Sequence, residues 1–419
     1  MQGHEMNIGS FTLLVLSVFL LVACDDGGGN EEPHGVVTDQ SSDHESCGDV
    51  DLNTSVEHCG ACAHACGIGA TCETGVCSPV VQVAAGSDHT CALRRNGRVL
   101  CWGNNDKGQL GNGSSTASSL PVVVEGIEDA AQIAVGEAFS CALHVSGEVS
   151  CWGKNESGQL GDGTLGPNAA AHTPVKVEGL RDATHVACGG AQSCAALSSG
   201  AVWCWGFNGS GQLGNGTLQD TPTAIPVSML SGVAEVATGD LHTCARRGDG
   251  AVFCWGANGD GQLGNNTRDS ASSPVEVQGL PPAASISVGD FHSCATTSTG
   301  EVYCWGYNLH GQLGNGGQSS SLVPVQIVDL GATSAISGGD LHTCALLQDG
   351  AARCWGWNAN KQLGDGTDID TTSPAKVLWL TDGKLISAGS RHTCGVGADE
   401  KVLCWGEGFE QPSTIGGLP

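Results

Sequence analysis

Cys91-Ala-Leu-Arg-Arg-Asn96-Gly97-Arg-Val-Leu-Cys101-Trp102-Gly-Asn-Asn-Asp-Lys-Gly-Gln-Leu-Gly111 reads as a hairpin running into a tight loop. A three-residue turn over Arg95-Asn96-Gly97, with glycine at the left-handed position, closes the hairpin. Arg94 then faces Arg98, and counting outward sets Cys91 opposite Cys101. Opposed residues at a non-hydrogen-bonded pair lie near the separation that a disulfide needs. A bridge over so short a loop is worth roughly 2–3 kcal/mol on the chain-entropy model.

The arrangement recurs along the chain. Cys91 is followed by Cys101, Cys141 by Cys151, Cys194 by Cys204, Cys244 by Cys254, Cys294 by Cys304, Cys344 by Cys354 and Cys394 by Cys404. Each second cysteine opens a Cys-Trp-Gly triplet, and each couple is expected to form a disulfide. Six of the spans carry the turn glycine, from Gly97 to Gly350. The seventh carries Glu400, so its turn is expected to be distorted. The repeat unit is about 50 residues long and reads as four strands. A small/Val strand ends in Gly, two variable residues and usually His-Thr/Ser-Cys-Ala follow, then the polar-Gly turn, the Cys-Trp-Gly strand, a Ser/Thr loop and Pro-Val-x-Val. A four-stranded unit repeated seven times suggests closure into a ring, which removes exposed sheet edges. Repeat seven lacks the Asn-x-x-Gly-Gln-Leu-Gly loop, and its last strand, around Pro412–Leu418, is expected to close the ring near Val80.

Trp-Gly-x-Asn-x-x-Gly-Gln-Leu-Gly is intact at Trp102–Gly111, Trp152–Gly161, Trp205–Gly214, Trp255–Gly264 and Trp305–Gly314, and Trp355–Gly364 differs only at Lys361. This motif resembles the regulator of chromosome condensation repeat. The resemblance implies an all-β fold, a seven-bladed β-propeller over residues 79–419, to which this chain adds one cysteine pair per blade. The family includes a secreted bacterial enzyme inhibitor, and nuclear members that bind chromatin and promote nucleotide exchange on a small GTPase.

The 22 cysteines place the chain in an oxidising compartment. Its net charge is −27, with no Lys or Arg before Arg94, and no basic patch offers a footprint for nucleic acid. Phe11 to Ala23 is apolar but short for a membrane span, and the leader carries no Lys or Arg. Leu21-Val22-Ala23-Cys24 resembles a bacterial lipoprotein processing box. That resemblance implies a signal peptide over 1–23, a lipid on Cys24, and an exported protein anchored at the outer membrane or cell surface. Residues 24–46 are polar and acidic and read as a flexible tether. Residues 47–78 form a small module with Cys47, Cys59, Cys62, Cys66, Cys72 and Cys77, too short to fold without staples. It resembles the stigma-specific cysteine-rich repeat, and three disulfides of undetermined connectivity are expected in preference to a metal site at Cys59, Cys62 and His64.

A single hairpin returns the chain to the end it started from. The Gly-x-x-His and Trp-Gly-x-Asn loops therefore share one face, and the polar-Gly turns lie on the other. The variable positions on the first face are large and apolar in units three to six: Phe207, Leu241, Phe291, Tyr307, Leu341 and Trp357, interleaved with Asp240, Asp290 and Asp340. Apolar residues edged by charge mark an interaction surface. His89, His242, His292, His342 and His392 recur by unit and are expected to hold their own loops by hydrogen bonds across the turn. The repeated tryptophans are expected to pack between blades, and the odd Cys188 to be a buried free thiol. Loops such as Asp162-Gly163 and Asp365-Gly366 lack a multi-carboxylate calcium pattern. No nucleophile motif, phosphate loop or zinc helix appears, so neither a catalytic residue, a cofactor nor a metal is assigned. The reading is a monomeric, non-enzymatic envelope lipoprotein that binds a protein or glycan. Its rivals are an exchange-type regulator, which export and acidity oppose, and a carbohydrate-acting enzyme. A clustered carboxylate pair at the central funnel would favour the enzyme, and an apolar face would not.

Overall fold

The computed structural model describes residues 76–418 and, ahead of them, residues 55, 56, 65, 66, 68 and 70–73. The expected signal peptide, the expected lipid-bearing Cys24, the expected tether, and Cys47, Cys59, Cys62 and His64 lie outside the described residues. The repeats form seven four-stranded antiparallel sheets, each built from four strands consecutive in the chain. Blade one is Val80–Ala85, His89–Arg94, Val99–Gly103 and Ser118–Val123, running from the central channel outward.

The hairpin of the second and third strands has the register that the turn chemistry sets. Cys91 pairs with Cys101 across the hairpin, Cys141 with Cys151, and Cys194 with Cys204. Cys244 pairs with Cys254, Cys294 with Cys304, Cys344 with Cys354, and Cys394 with Cys404. Each of these seven pairs is a disulfide, with Cα atoms 4.0–4.1 Å apart. The Arg94 N–H donates to Arg98 O at 2.9 Å, and Gly97 takes a left-handed φ of 81°. Glu400 corrects one expectation. It adopts φ 64°, and its N–H still donates to Gly397 O at 3.1 Å, so the turn of blade seven keeps its form. The cost is a non-glycine residue in the left-handed region, about 1–2 kcal/mol.

The core lies between blades. One cluster joins Cys91, Cys101, Leu93 and Leu110 of blade one to Ile133, Ala142 and Trp152 of blade two. The sulfurs of every blade are likewise buried in such clusters rather than turned to solvent. Cross-blade hydrogen bonds repeat as well: the Trp152 indole N–H donates to Gln109 O at 2.9 Å, and the same bond recurs at five further junctions. The tryptophans are thus inter-blade packing.

Closest to the axis, seven glycines touch head to tail. A Cβ on Gly86 would lie 2.6 Å from Gly136 O, on Gly239 2.2 Å from Gly289 O, and on Gly389 2.4 Å from Gly86 O, which completes the circle. Only glycine permits this approach.

The ring closes by packing rather than by strand exchange. The last strand, Phe409–Thr414, pairs with the third strand of its own blade. Ile415 and Leu418 do share a core cluster with Val80, so the end of the chain reaches the expected place without hydrogen-bonding to the first blade's sheet. Across that seam Ser390 N–H donates to Gly86 O at 3.1 Å and Ala85 N–H donates to Ser387 Oγ at 3.0 Å.

The described part of the cysteine module carries the Cys66–Cys77 disulfide. It meets the polar-Gly end of blade one, where the buried Arg94 guanidinium donates to Ile68 O at 3.0 Å and Ser78 O at 2.7 Å. Burial pulls the Arg94 pKa down to about 10.

Candidate binding face

Each Gly-x-x-His loop is fastened to the Trp-Gly-x-Asn loop of its own blade. Tyr307 N–H donates to Phe291 O at 3.0 Å and Trp357 N–H to Leu341 O at 2.9 Å, with the equivalent bond in the other five blades. The two rows of variable residues therefore stand side by side on one face.

Phe207, Leu241, Phe291, Tyr307, Leu341, Trp357, Asp240, Asp290 and Asp340 are all half-buried there. The structure brings only some of them together. Phe291 and Tyr307 meet edge to face with centroids 6.1 Å apart, and the run continues through His310 to Trp357 at 6.5 and 6.2 Å. Phe207 stands apart in blade three, its ring lying over Gly209. His310 is not evident as a site residue from sequence, yet it holds the run together. Its Nδ1 lies 2.7 Å from Asp370 Oδ2, while Asp370 Oδ1 accepts from Asn358 N–H at 2.9 Å. Leu309 and Ile369, next to His310 and Asp370 in the chain, are 58% and 69% exposed. A sequence signal exists: Leu309-His310 fills the variable pair of Asn-x-x-Gly with a large apolar and an aromatic residue, where other blades have small or polar ones.

The acidic positions lie at the axis. The residue after each ring glycine is Ser87, Glu137, Gly190, Asp240, Asp290, Asp340 or Ser390, and all seven line the mouth of a central cavity of about 270 Å³. Burial pushes the Asp290 carboxyl well above the usual carboxylate range, and the nearby Asp340 and Asp240 charges push it further. Burial also raises Asp240 and Asp340. Asp290 and Asp340 are both held above their usual range because they share a poorly solvated space, Asp290 the more strongly. Glu137 is neutralised differently, by Lys154 Nζ at 3.2 Å. Among the described residues, no group of three or more His, Cys, Asp or Glu side chains is placed to hold a metal ion. Asp162 and Asp365 instead accept from Asn155 and Asn358 Nδ2 and cap their own loops.

The recurring histidines are structural, but they hold the next blade rather than their own loop. His242 Nε2 lies 2.9 Å from Ser293 Oγ, and His89, His292, His342 and His392 reach the Ser or Thr of the following blade in the same way. At four of these contacts the hydroxyl itself donates to a Gln carbonyl, so Nε2 must be the protonated nitrogen. Burial pulls the His89, His242 and His342 pKa values down to about 3, and those of His292 and His392 to about 4. Cys188 is free but only half-buried, because it stands on the wall of the central cavity. Burial pushes its thiol up to about 12.

Two models of the regulator of chromosome condensation (RCC1) repeat match the chain, one at residues 80–109, 130–159, 183–212, 233–262, 283–312, 334–362 and 384–410, the other in six spans from 96 to 396. The chain belongs to the RCC1 repeat family. Among curated relatives, the human E3 ubiquitin-protein ligase HERC2 is 33% identical over 144 residues, 33% of this chain and 3% of that protein. The Arabidopsis thaliana ultraviolet-B receptor UVR8 is 32% identical over 143 residues, 34% of this chain and 32% of the receptor. The chain thus spans a minor part of these relatives. Among solved structures, Prp20p of Saccharomyces cerevisiae superposes with a TM-score of 0.68 at 24% identity, covering 77% of this chain and 84% of that one. Human WBSCR16 gives 0.70 at 24% identity, with 76% and 87% covered. At this identity the likeness is one of fold. The glycines, tryptophans and Gln-Leu pairs recur from repeat to repeat within the matched spans, and the aromatic run and the acidic rim lie at positions that vary between repeats.

Proposed function

We propose that the protein is an exported, lipid-anchored binding protein of the cell envelope, and that its loop face takes a protein or glycan partner. The observation that carries this reading is the run Phe291–Tyr307–His310–Trp357, which is half-buried, confined to blades five and six, and flanked by the exposed Leu309 and Ile369. Clustered aromatics beside a charged rim are the usual anchors of an interface. Prp20p, of the same fold, is described as binding Gsp1p and histones. This chain's −27 charge makes a basic partner acceptable, but it offers no basic face for nucleic acid. The described part of the cysteine module contacts the polar-Gly end of blade one, opposite the loop face.

One observation favours a second reading. Asp290 and Asp340 at the channel mouth are neighbouring carboxyls whose pKa values are both raised, as is that of the general acid of a carbohydrate-acting enzyme. Against it, the cavity of about 270 Å³ falls below the size of ordinary ligand pockets, and a glycosidic bond needs a sugar on each side. Purified protein presented to an array of envelope glycans, with reducing ends assayed afterwards, separates the two. Binding without cleavage that is lost in the double variant Tyr307→Ala with Trp357→Ala supports the binding reading. Cleavage abolished by Asp290→Asn would replace it with the enzyme.

A further inference from the structure

Six of the seven blade junctions share one construction. The Gly-Gln-Leu-Gly loop of one blade, with Lys for the first Gly in blade six, sets its Gln carbonyl between two donors of the next. The indole N–H donates to it at 2.8–2.9 Å, and the Ser or Thr hydroxyl beside the second-strand cysteine donates at 2.8–3.3 Å. The following Leu is wholly buried in all six.

The seventh junction, between blades seven and one, keeps the receiving half and lacks the giving half. Trp405-Gly406 runs straight into Glu407-Gly408-Phe409, with no Gly-Gln-Leu-Gly loop. Trp102 is 4% exposed, yet its indole N–H has no partner among the described residues. The Thr90 hydroxyl meets His392 Nε2 at 2.7 Å, as most of its counterparts meet the histidine of the preceding blade, but no Gln carbonyl stands beside it. Phe409 packs against the Trp102 cluster and fills only part of the gap. A cavity of about 350 Å³ remains, lined by Trp102, Thr90, His89, His392, Gly103 and Phe409, with Asp88 and Glu407 at its edge on the loop face.

We propose that this seam cavity is a second binding site, for a peptide turn from another polypeptide. The turn places a backbone carbonyl on the Trp102 N–H and the Thr90 hydroxyl, and a leucine-sized side chain against Trp102 and Phe409. A buried donor without an acceptor is costly, and a ligand oxygen recovers that loss. The oxygen belongs to a neutral carbonyl, because Asp88 at the rim repels a carboxylate or phosphate, while Glu407 beside it is paired with Arg391 Nη1 at 3.2 Å. A peptide fits because the protein fills the same frame with peptide six times over.

The test titrates the full chain with the capped peptide Asn-Gly-Asp-Gly-Gln-Leu-Gly-Asn, the sequence of residues 258–265, and follows the indole N–H signals by nuclear magnetic resonance. Trp102→Phe identifies the seam signal by its loss. The Trp102 signal moves saturably while the other indoles stay, and a peptide with Ser for Leu binds about tenfold more weakly, the loss of one buried contact. The double variant Tyr307→Ala with Trp357→Ala binds the peptide as the wild type does, so failure of the loop-face reading and failure of this one are distinguishable. A Trp102 signal unmoved at millimolar peptide overturns the proposal, as does equal affinity for the two peptides. The peptide comparison decides on wild-type protein even if the Trp102 variant does not fold.

Discussion

At the scale of the residue, the five recurring histidines make the fold sensitive to acid. Their folded pKa values of about 3 to 4 lie below the unfolded value of 6.5. A depressed pKa gives stability that is complete above 6.5 and is lost as pH falls toward the folded value, by about 1.4 kcal/mol per pH unit for each histidine. The melting temperature is therefore expected to drop steeply between pH 6.5 and 4, and a flat profile would count against the buried contacts to the next blade. The raised carboxyls of Asp240, Asp290 and Asp340 act in the opposite sense, gaining protons in the folded state. Blade three shows a tolerated replacement, since Gln192 Nε2 donates to Gly239 O at 2.8 Å. His292→Gln should flatten the profile without loss of the fold. The histidines are legible as structural from their recurrence alone. Their bonding partner is not, because a contact to the next blade is about 50 residues away and needs the ring to be seen. At the axis, Gly289→Ala sets a Cβ 2.3 Å from Gly339 O. It should cost about 1–3 kcal/mol by overpacking, read as a fall in melting temperature at pH 7.

At the scale of the element, the paired-strand hairpin is readable in full. Turn length and the glycine position fix the register, and the register fixes the cysteine pairing. Removing one bridge, with Cys244→Ala and Cys254→Ala together, should lower stability by about 2–3 kcal/mol, with a lower melting temperature and an unchanged sheet signature. Full retention of stability would show that inter-blade packing alone sets the hairpin. The exception expected in blade seven does not occur, because the turn's geometry belongs to the strands that it joins. Glu400 is forced into the left-handed region rather than reshaping the turn. Glu400→Gly should therefore raise stability by about 1 kcal/mol. The exposed ion pair with Lys384 that it removes is worth little.

At the scale of the whole molecule, the repeated positions build the ring and the non-repeating ones mark its faces. The sevenfold count, the shared loop face and the inter-blade tryptophans follow from spacing. Which variable side chains touch does not, since Phe207, Tyr307 and Trp357 occupy the same position after Trp-Gly and only Tyr307 and Trp357 join a run of rings. The seam likewise shows in the sequence as a missing loop, but the space left there depends on how far Phe409 reaches inward. The most direct test of the binding face compares full-length protein with the double variant Tyr307→Ala with Trp357→Ala, and with Val145→Ala, whose side chain is exposed on the opposite, polar-turn end. Each is used to capture partners from envelope and extracellular fractions, with quantitative mass spectrometry. A partner is expected to be retained equally by wild type and Val145→Ala and depleted about tenfold or more by the double variant, the effect of two hot-spot anchors. Equal recovery by all three proteins would contradict it.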